Sequence, residues 1–232
     1  MSNLEQTLSI IKPDAVERNL IENIKSIFIK NNLNRYHNSF RTKMEKGNIR
    51  VIGGKWKGKK ISFPLDSNLR PTPDRAKETV FNWLGNDLSG YSCLDLFAGT
   101  GAMGIEALSR GASRVDFLEK EKIFAKNLDN TLKDLKGEVN SIIYNKDFRD
   151  WFKLNALNNL YDIIFIDPPF NQNLIKEVFD CLAKTKIHFE KTIFYLESES
   201  NLDLSFIEKE FEVVKKKTMG RKCYRLLKVK TI

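Results

Sequence analysis

Two rhythms of apolar and polar positions alternate along residues 91–229. Short apolar runs of the length of buried strands lie at Cys93–Phe97, Val115–Leu118, Ser141–Tyr144, Tyr161–Ile166 and Thr192–Leu196. The stretches between them carry apolar residues at helical spacing instead. Met103, Ile105, Ala107 and Leu108 form one such face, and Ile123, Phe124, Leu128, Leu132 and Leu135 form another over Glu121–Lys136. Phe148, Trp151 and Phe152 mark a third helix, Leu174–Ala183 a fourth, and Phe206–Phe211 a short fifth. Strand and helix in alternation predict a parallel sheet with helices on its faces. Glu212–Lys217 and Cys223–Val229, with a turn at Met219-Gly220 between them, predict a closing antiparallel hairpin. The sheet then has seven strands, five parallel and two antiparallel. A dehydrogenase sheet of this kind carries a sixth parallel strand, which the pattern lacks.

Upstream the pattern changes. Ile49-Arg50-Val51-Ile52, Gly53-Gly54 and Lys55–Phe63 alternate apolar with basic residues around a glycine pair, which predicts a β-hairpin with one cationic face. Arg70-Pro71-Thr72-Pro73-Asp74-Arg75 leads into a helix over Ala76–Leu84, with Val80, Phe81 and Leu84 inward and Asp74 as its cap. Residues 48–84 therefore read as a hairpin-and-helix unit set before a core of residues 85–232. Residues 34–47 are polar, basic and aperiodic, and read as a linker. Thr7–Val16 resembles the opening strand of nucleoside diphosphate kinases, with Lys12 where that family contacts nucleotide phosphates. One strand and one helix cannot bury a core, and neither His37 nor His188 lies in a motif like that of the kinases' phosphate-accepting histidine. Residues 1–33 are accordingly read as a non-functional fragment, from a gene fusion or a mis-set start, with Met44 as the natural initiator.

Composition narrows the class. Hydrophobic residues make up 41% of the chain and charged residues 30%, which suits a soluble protein with a sizeable core. No apolar run approaches the roughly 18 residues of a membrane span, and the start lacks the apolar region of a signal peptide. A cytoplasmic monomer is expected. Cys93, Cys181 and Cys223 have no paired spacing, so neither a disulfide framework nor a zinc site is indicated and no metal is expected.

The net charge of +9 is unevenly spread. Residues 41–60 carry eight basic side chains against Glu45, and residues 209–230 carry nine against Glu210 and Glu212. Together these exceed the net charge of the whole chain, so the remainder is acidic. Two basic regions on an acidic body suggest a track for a polyanion. Its candidate contacts are Arg50, Lys55, Lys57, Lys59 and Lys60 with the interleaved aromatic Trp56, then Arg70 and Arg75 at the helix entrance, and Arg221 in the terminal turn. Solvated lysine-rich strand edges that discourage aggregation are the other reading of the same charges.

The chemistry centres on Tyr91–Glu119, a strand, a glycine turn, a helix, a second strand and an acid. Glycines let the backbone pass close beneath a ligand, and the helix start offers free N–H groups. Glu119 can accept both hydroxyls of a ribose. Gly99-Thr100-Gly101-Ala102-Met103-Gly104 satisfies a pattern that dehydrogenases share with S-adenosylmethionine enzymes, so it does not choose the cofactor. Asp95, on the strand four residues before Gly99, favours the second because a carboxylate there can meet an amino-acid portion. Asp167-Pro168-Pro169-Phe170 is sharper. Strands one and four of such a sheet flank the ligand crevice, so this motif sets a carboxylate, a rigid donor-free turn and an aromatic face beside the cofactor. An amine conjugated to a base ring is a poor nucleophile. Asp167 and the carbonyl of Pro168 would hold its N–H groups, stabilise charge developing on nitrogen, and leave Phe170 to stack on the base.

Several stretches carry a resemblance to a known family: RVIGGKWKGKK (50–60), RPTPDRAKETVFNWL (70–84), CLDLFAGTGAMGIEALSRGA (93–112), DPPF (167–170) and YLESE (195–199). Over residues 48–230 the chain resembles bacterial methyltransferases that modify the exocyclic N2 amine of a guanine in 16S ribosomal RNA. That resemblance implies a class I S-adenosylmethionine-dependent fold, Rossmann-like, with a small N-terminal hairpin and helix. It also implies S-adenosylmethionine held by Asp95, Phe97, Gly99, Gly101, Glu119, Lys120, Asp147 and Phe148, and catalysis by Asp167, Pro168 and Phe170, with a helix cap as the other reading of Asp147. The partner it implies is small-subunit ribosomal RNA, naked or within a partly assembled subunit. An adenine-N6 or other nucleic-acid amino methyltransferase, and a non-catalytic RNA-binding assembly factor, remain the alternatives.

Overall fold

A two-stranded hairpin, β1 (Lys46–Arg50) and β2 (Lys60–Pro64), precedes a seven-stranded sheet. The computed structural model describes residues 46–65, 72–154, 161–169, 174–184 and 191–230, all within one unit spanning Glu45–Ile232. The kinase-like segment 1–33, most of the expected linker, Arg70 and Phe170 lie outside the described residues. Lys46 and Gly47, read as linker, are instead the first residues of β1.

In the large sheet β3 (Ser92–Asp95), β4 (Arg114–Leu118), β5 (Ser141–Tyr144), β6 (Ile163–Ile166) and β7 (Ile193–Glu199) run parallel. β8 (Phe211–Met219) and β9 (Lys222–Val229) close it antiparallel, in the order β5-β4-β3-β6-β7-β9-β8. The expected seven strands are therefore present with the expected directions. The central strand β6, Ile-Ile-Phe-Ile, is buried at all four positions because helices cover both faces of the sheet.

Alternate strand residues point to opposite faces and build two cores. On one face Cys93, Phe165, Tyr195 and Leu226 pack with Val80 and Phe81 of α1 (Asp74–Leu84), Ile105 and Leu108 of α2 (Ala102–Ser109), and Leu128 and Leu132 of α3 (Lys122–Asp134). On the other, Leu94, Ile164, Phe194 and Leu227 pack with Trp151 of α4 (Phe148–Leu154) and with Val178 and Phe179 of α5 (Leu174–Lys184). The segment Phe206–Phe211, expected as a helix, forms successive turns that run into β8, with Ile207 N–H bonded to Leu204 and Phe211 N–H to Ile207. So short a segment offers too few helical bonds to offset nucleation, and its apolar residues are held instead by packing: Leu204, Ile207 and Phe211 are buried while Phe206 is exposed.

The expected hairpin forms, but its connection is longer than the glycine pair. Residues 51–59 form that connection, closed by Val51 N–H to Lys59 and Gly58 N–H to Val51. Gly54 adopts φ +69° there and lies so close to α2 that an added Cβ would stand 1.8 Å from the Ser109 carbonyl oxygen. The glycine pair thus serves close approach to α2. Ser109 hydroxyl donates to the Gly53 carbonyl at 2.5 Å and accepts from Trp56 N–H at 2.9 Å. Asp74, expected as a cap, is the first residue inside α1 and makes no capping bond; its carboxylate holds Arg50 at 3.0 Å and Lys77 at 3.4 Å.

Candidate active site

The chain leaves β3 for one side of the sheet, through α2 to β4, and returns to place β6 on its other side, so a crevice opens where β3 and β6 lie adjacent. Asp95 is in register with Phe165, which puts Asp167 two residues further along the same face. The two expected carboxylates therefore meet at one end of the sheet.

The glycine turn follows β3 directly. Gly99 and Gly101 have φ values of +51° and +77°, and a side chain at Gly101 would collide with Leu128 and Ile105. A Cβ on Gly104 would stand 2.2 Å from the Phe117 ring, so this glycine lets α2 lie tightly on β4. Asp95 is 3% exposed and accepts the Gly104 N–H at 3.0 Å. Withdrawal from water pushes its carboxyl up to about 7, the nearby Glu119 adds to that, and the N–H groups of Gly104 and Phe97 pull the other way. Glu119 accepts Gly99 N–H and Glu121 N–H, each at 2.7 Å, and burial raises its carboxyl above the ordinary range. Neither acid makes an ion pair among the described residues. Buried carboxylates flanking a glycine turn, with lone pairs beyond those used by the backbone, fit a ligand that brings hydroxyls and an ammonium group.

Of the remaining cofactor candidates, Phe148 is buried in the second core, Phe97 and Asp147 are half-buried, and Lys120 is exposed. Phe97 packs at a tilt against Phe148, with centroids 5.4 Å apart, and the Arg149 guanidinium lies over the Phe148 ring at 4.7 Å. Asp147 precedes α4 and accepts Arg149 N–H at 2.9 Å, the capping geometry, while its carboxylate also pairs with the Arg149 side chain at 3.0 Å. Lys120 extends outward and meets Glu121 at 3.9 Å. Asn145, given no role from sequence, donates to the carbonyls of Glu119 and Lys120 and so fixes the turn after β4.

Asp167 sits just beyond β6, followed by the buried Pro168. Its Oδ2 accepts the hydroxyl of Thr72 at 3.2 Å. The same hydroxyl lies 3.5 Å from Oε2 of Glu197, a fully buried acid on β7, which also accepts Tyr195 hydroxyl at 3.0 Å and is paired with Lys222. Burial first, and then the charge of Glu197, hold the Asp167 carboxyl well above the usual range; Lys222 and the Thr72 hydrogen bond act against this, and Asp95 adds to it. Thr72, Glu197, Tyr195 and Lys222 were not picked out as site residues from sequence. The signal was Glu197 directly after the apolar run Thr192–Leu196, the place that Glu119 holds after Val115–Leu118.

The basic candidates separate into two kinds. Arg50, Lys55, Lys57, Lys59, Lys60, Arg75 and Arg221 are exposed. Trp56 is not: it is 6% exposed and packs against Gly137, with Lys55 over its ring at 4.3 Å. It fixes the hairpin to the core and is withdrawn from any contact surface. A cleft of about 480 Å³ runs between the hairpin and the start of α1, lined by Arg50, Lys60, Thr72 and Asp74 among others. Thr72 links that cleft to Asp167. On the far side of α1, Lys217 of β8 reaches Thr79 at 3.3 Å, so both basic regions flank the same helix.

Residues 49–228 match the family described as Conserved hypothetical protein 95. The chain is 37% identical over 187 residues to ribosomal RNA small subunit methyltransferase D of Haemophilus influenzae, covering 80% of this chain and 96% of that protein. It is 36% identical to the protein of the same name in Escherichia coli K12, covering 78% and 89%. A solved methyltransferase structure from Escherichia coli superposes with a TM-score of 0.68 at 32% identity, over 79% of this chain and 98% of that one.

Proposed function

Since the chain belongs to that family, and with it to the small-subunit ribosomal RNA methyltransferases, we propose that it methylates the exocyclic N2 amine of a guanine in small-subunit ribosomal RNA. The observation that carries this reading is the meeting of Asp167-Pro168 with the Asp95–Glu119 cradle at the β3/β6 crevice. S-adenosylmethionine, when bound there, supplies a methyl carbon made electrophilic by its sulfonium. Glu119 would hold the ribose hydroxyls, Asp95 the amino-acid end, and Asp147 with Phe148 the adenine. The free Oδ1 of Asp167 and the Pro168 carbonyl would each accept an N–H of the guanine amine, aiming its nitrogen along the line of displacement. The Asp167 carboxylate would offset the positive charge that methylation places on the guanine nitrogen and would take the proton that nitrogen sheds. The target base must leave its stack to reach this crevice, at a cost of about a few kcal/mol. Shape and phosphate contacts along the exposed basic side chains would then select the RNA.

Tritiated methyl transfer to unmodified small-subunit RNA and to partly assembled particles, followed by nucleoside analysis, tests this. N2-methylguanosine is the expected product, and N6-methyladenosine would overturn the guanine assignment. Asp167→Ala is expected to abolish transfer while retaining RNA affinity. Persisting methylation would remove Asp167 from catalysis, whereas a wild-type chain that binds RNA without methylating it would favour an assembly factor.

A further inference from the structure

The cluster beside Asp167 has more donors and acids than the transfer just described uses. Glu197 is fully buried, yet it is satisfied three times over: by Lys222 at Oε1, by the Tyr195 hydroxyl at Oε2, and within reach of Thr72 at Oε2. Thr72, itself 4% exposed, has a single hydroxyl proton and two carboxylates to serve. Asp167 Oδ1, by contrast, has no protein partner among the described residues. The sheet register explains why these groups converge. Ile166 pairs with Leu196 and Glu197 pairs with Tyr224, so Asp167, Glu197 and Tyr224 form one row across β6, β7 and β9.

We propose that Glu197 is a positioning residue for Asp167: through the shared Thr72 hydroxyl and against Lys222, it fixes Oδ2 and turns Oδ1 toward the amine. This rests on the methyl-transfer reading above. Lys222 holds Glu197 at Oε1 and the Tyr195 hydroxyl holds it at Oε2, so its carboxylate is fixed beside Asp167. Its negative charge strengthens the hold of Asp167 on a proton, which suits a carboxylate that must take one from the amine. The titratable groups facing Asp167 are Asp95 from β3, Tyr195 and Glu197 from β7, and Lys222 and Tyr224 from β9. Of these, Glu197 raises the proton affinity of Asp167 most and Lys222 opposes it.

The test is the pH dependence of kcat at saturating cofactor and RNA, where the cofactor-side acid Asp95 does not limit. Glu197→Gln removes the neighbouring charge, so the acid limb is expected to move down by about one pH unit. Lys222→Met removes the opposing charge and is expected to move it up. Thr72→Val is expected to move it up as well, with Thr72→Ser restoring the wild-type position. KM for RNA should stay constant in all four, and S-adenosylhomocysteine affinity by calorimetry should match the wild type. Acid limbs that stay in place while rates fall would make Glu197 a packing residue and overturn the proposal. If Glu197→Gln fails to fold, the Thr72 pair decides the question by the same criterion. A wild-type protein that transfers no methyl group to RNA would defeat the underlying reading instead, a result separate from an unmoved limb.

Discussion

Asp95 shows what a single residue gives up for a ligand site. Its carboxyl is pushed up to about 7 because burial withdraws water faster than the Gly104 and Phe97 N–H groups compensate. A folded pKa above the unfolded value of about 4 means that the group favours folding below that value. The contribution is lost as pH rises through about 7, where the buried carboxylate must ionise. Asp95→Asn keeps an acceptor for Gly104 and removes the charge. It is expected to raise the melting temperature of the ligand-free protein at pH 8 by roughly 3–10 °C. The slope of stability between pH 5 and 8 should flatten, and cofactor affinity should fall. Scanning calorimetry across that range checks it, and a lower melting temperature at pH 8 would show that the charge stabilises the fold. At this scale Asp95, Glu119 and Asp167 were legible because each holds a fixed place in a local motif, the strand, glycine turn, helix, strand and acid of residues 91–119 or the Asp-Pro-Pro stop. Glu197 was not, because its partners Thr72 and Lys222 are 125 and 25 residues away in sequence and only the fold brings them together.

At the scale of elements the hairpin is the informative case. Alternation and the glycine pair foretold two strands, and two strands formed. The reason for the glycines was different, since Gly54 lies against the Ser109 carbonyl and not in a two-residue turn. Trp56, interleaved with lysines, read as part of a cationic face, but periodicity in a short hairpin cannot say which face a larger body will cover. A buried network completes the docking: Lys77, 1% exposed, donates to the Arg50 carbonyl and lies 3.9 Å from Glu106, which also accepts Ile52 N–H and the Arg110 guanidinium. The hairpin is therefore continuous with the catalytic core. Trp56→Ala is expected to destabilise the whole unit by about 3–5 kcal/mol, measured by urea unfolding. A separate early transition confined to the hairpin would show instead that it unfolds on its own.

For the whole molecule the question is how two basic regions about 150 residues apart act together. The Arg50–Asp74 pair brings the first to the start of α1, and the Lys217–Thr79 contact brings the second to its side. Replacing Lys55, Lys57 and Lys59 with glutamine is expected to weaken RNA binding and to lower the slope of log affinity against log salt by about two. Turnover at saturating RNA should be unaffected, because none of the three touches the crevice. Binding titrations between about 50 and 200 mM salt read the slope, and an unchanged value would take the hairpin out of the interface.

The sequence by itself determined what depends on local periodicity and on residues adjacent in the chain. These are the alternation of strand and helix, the seven-strand count, the glycine turn with its flanking acids, and the Asp-Pro-Pro stop after β6. Each is fixed by side-chain spacing that a short window contains. Tertiary structure alone decided which apolar residues were pins and which were surface, as Trp56 and Phe206 show. It also decided which acids were neighbours, since the β6–β7–β9 register sets Glu197 beside Asp167. Burial and charge coupling are sums over residues distant in sequence, and no local pattern carries them.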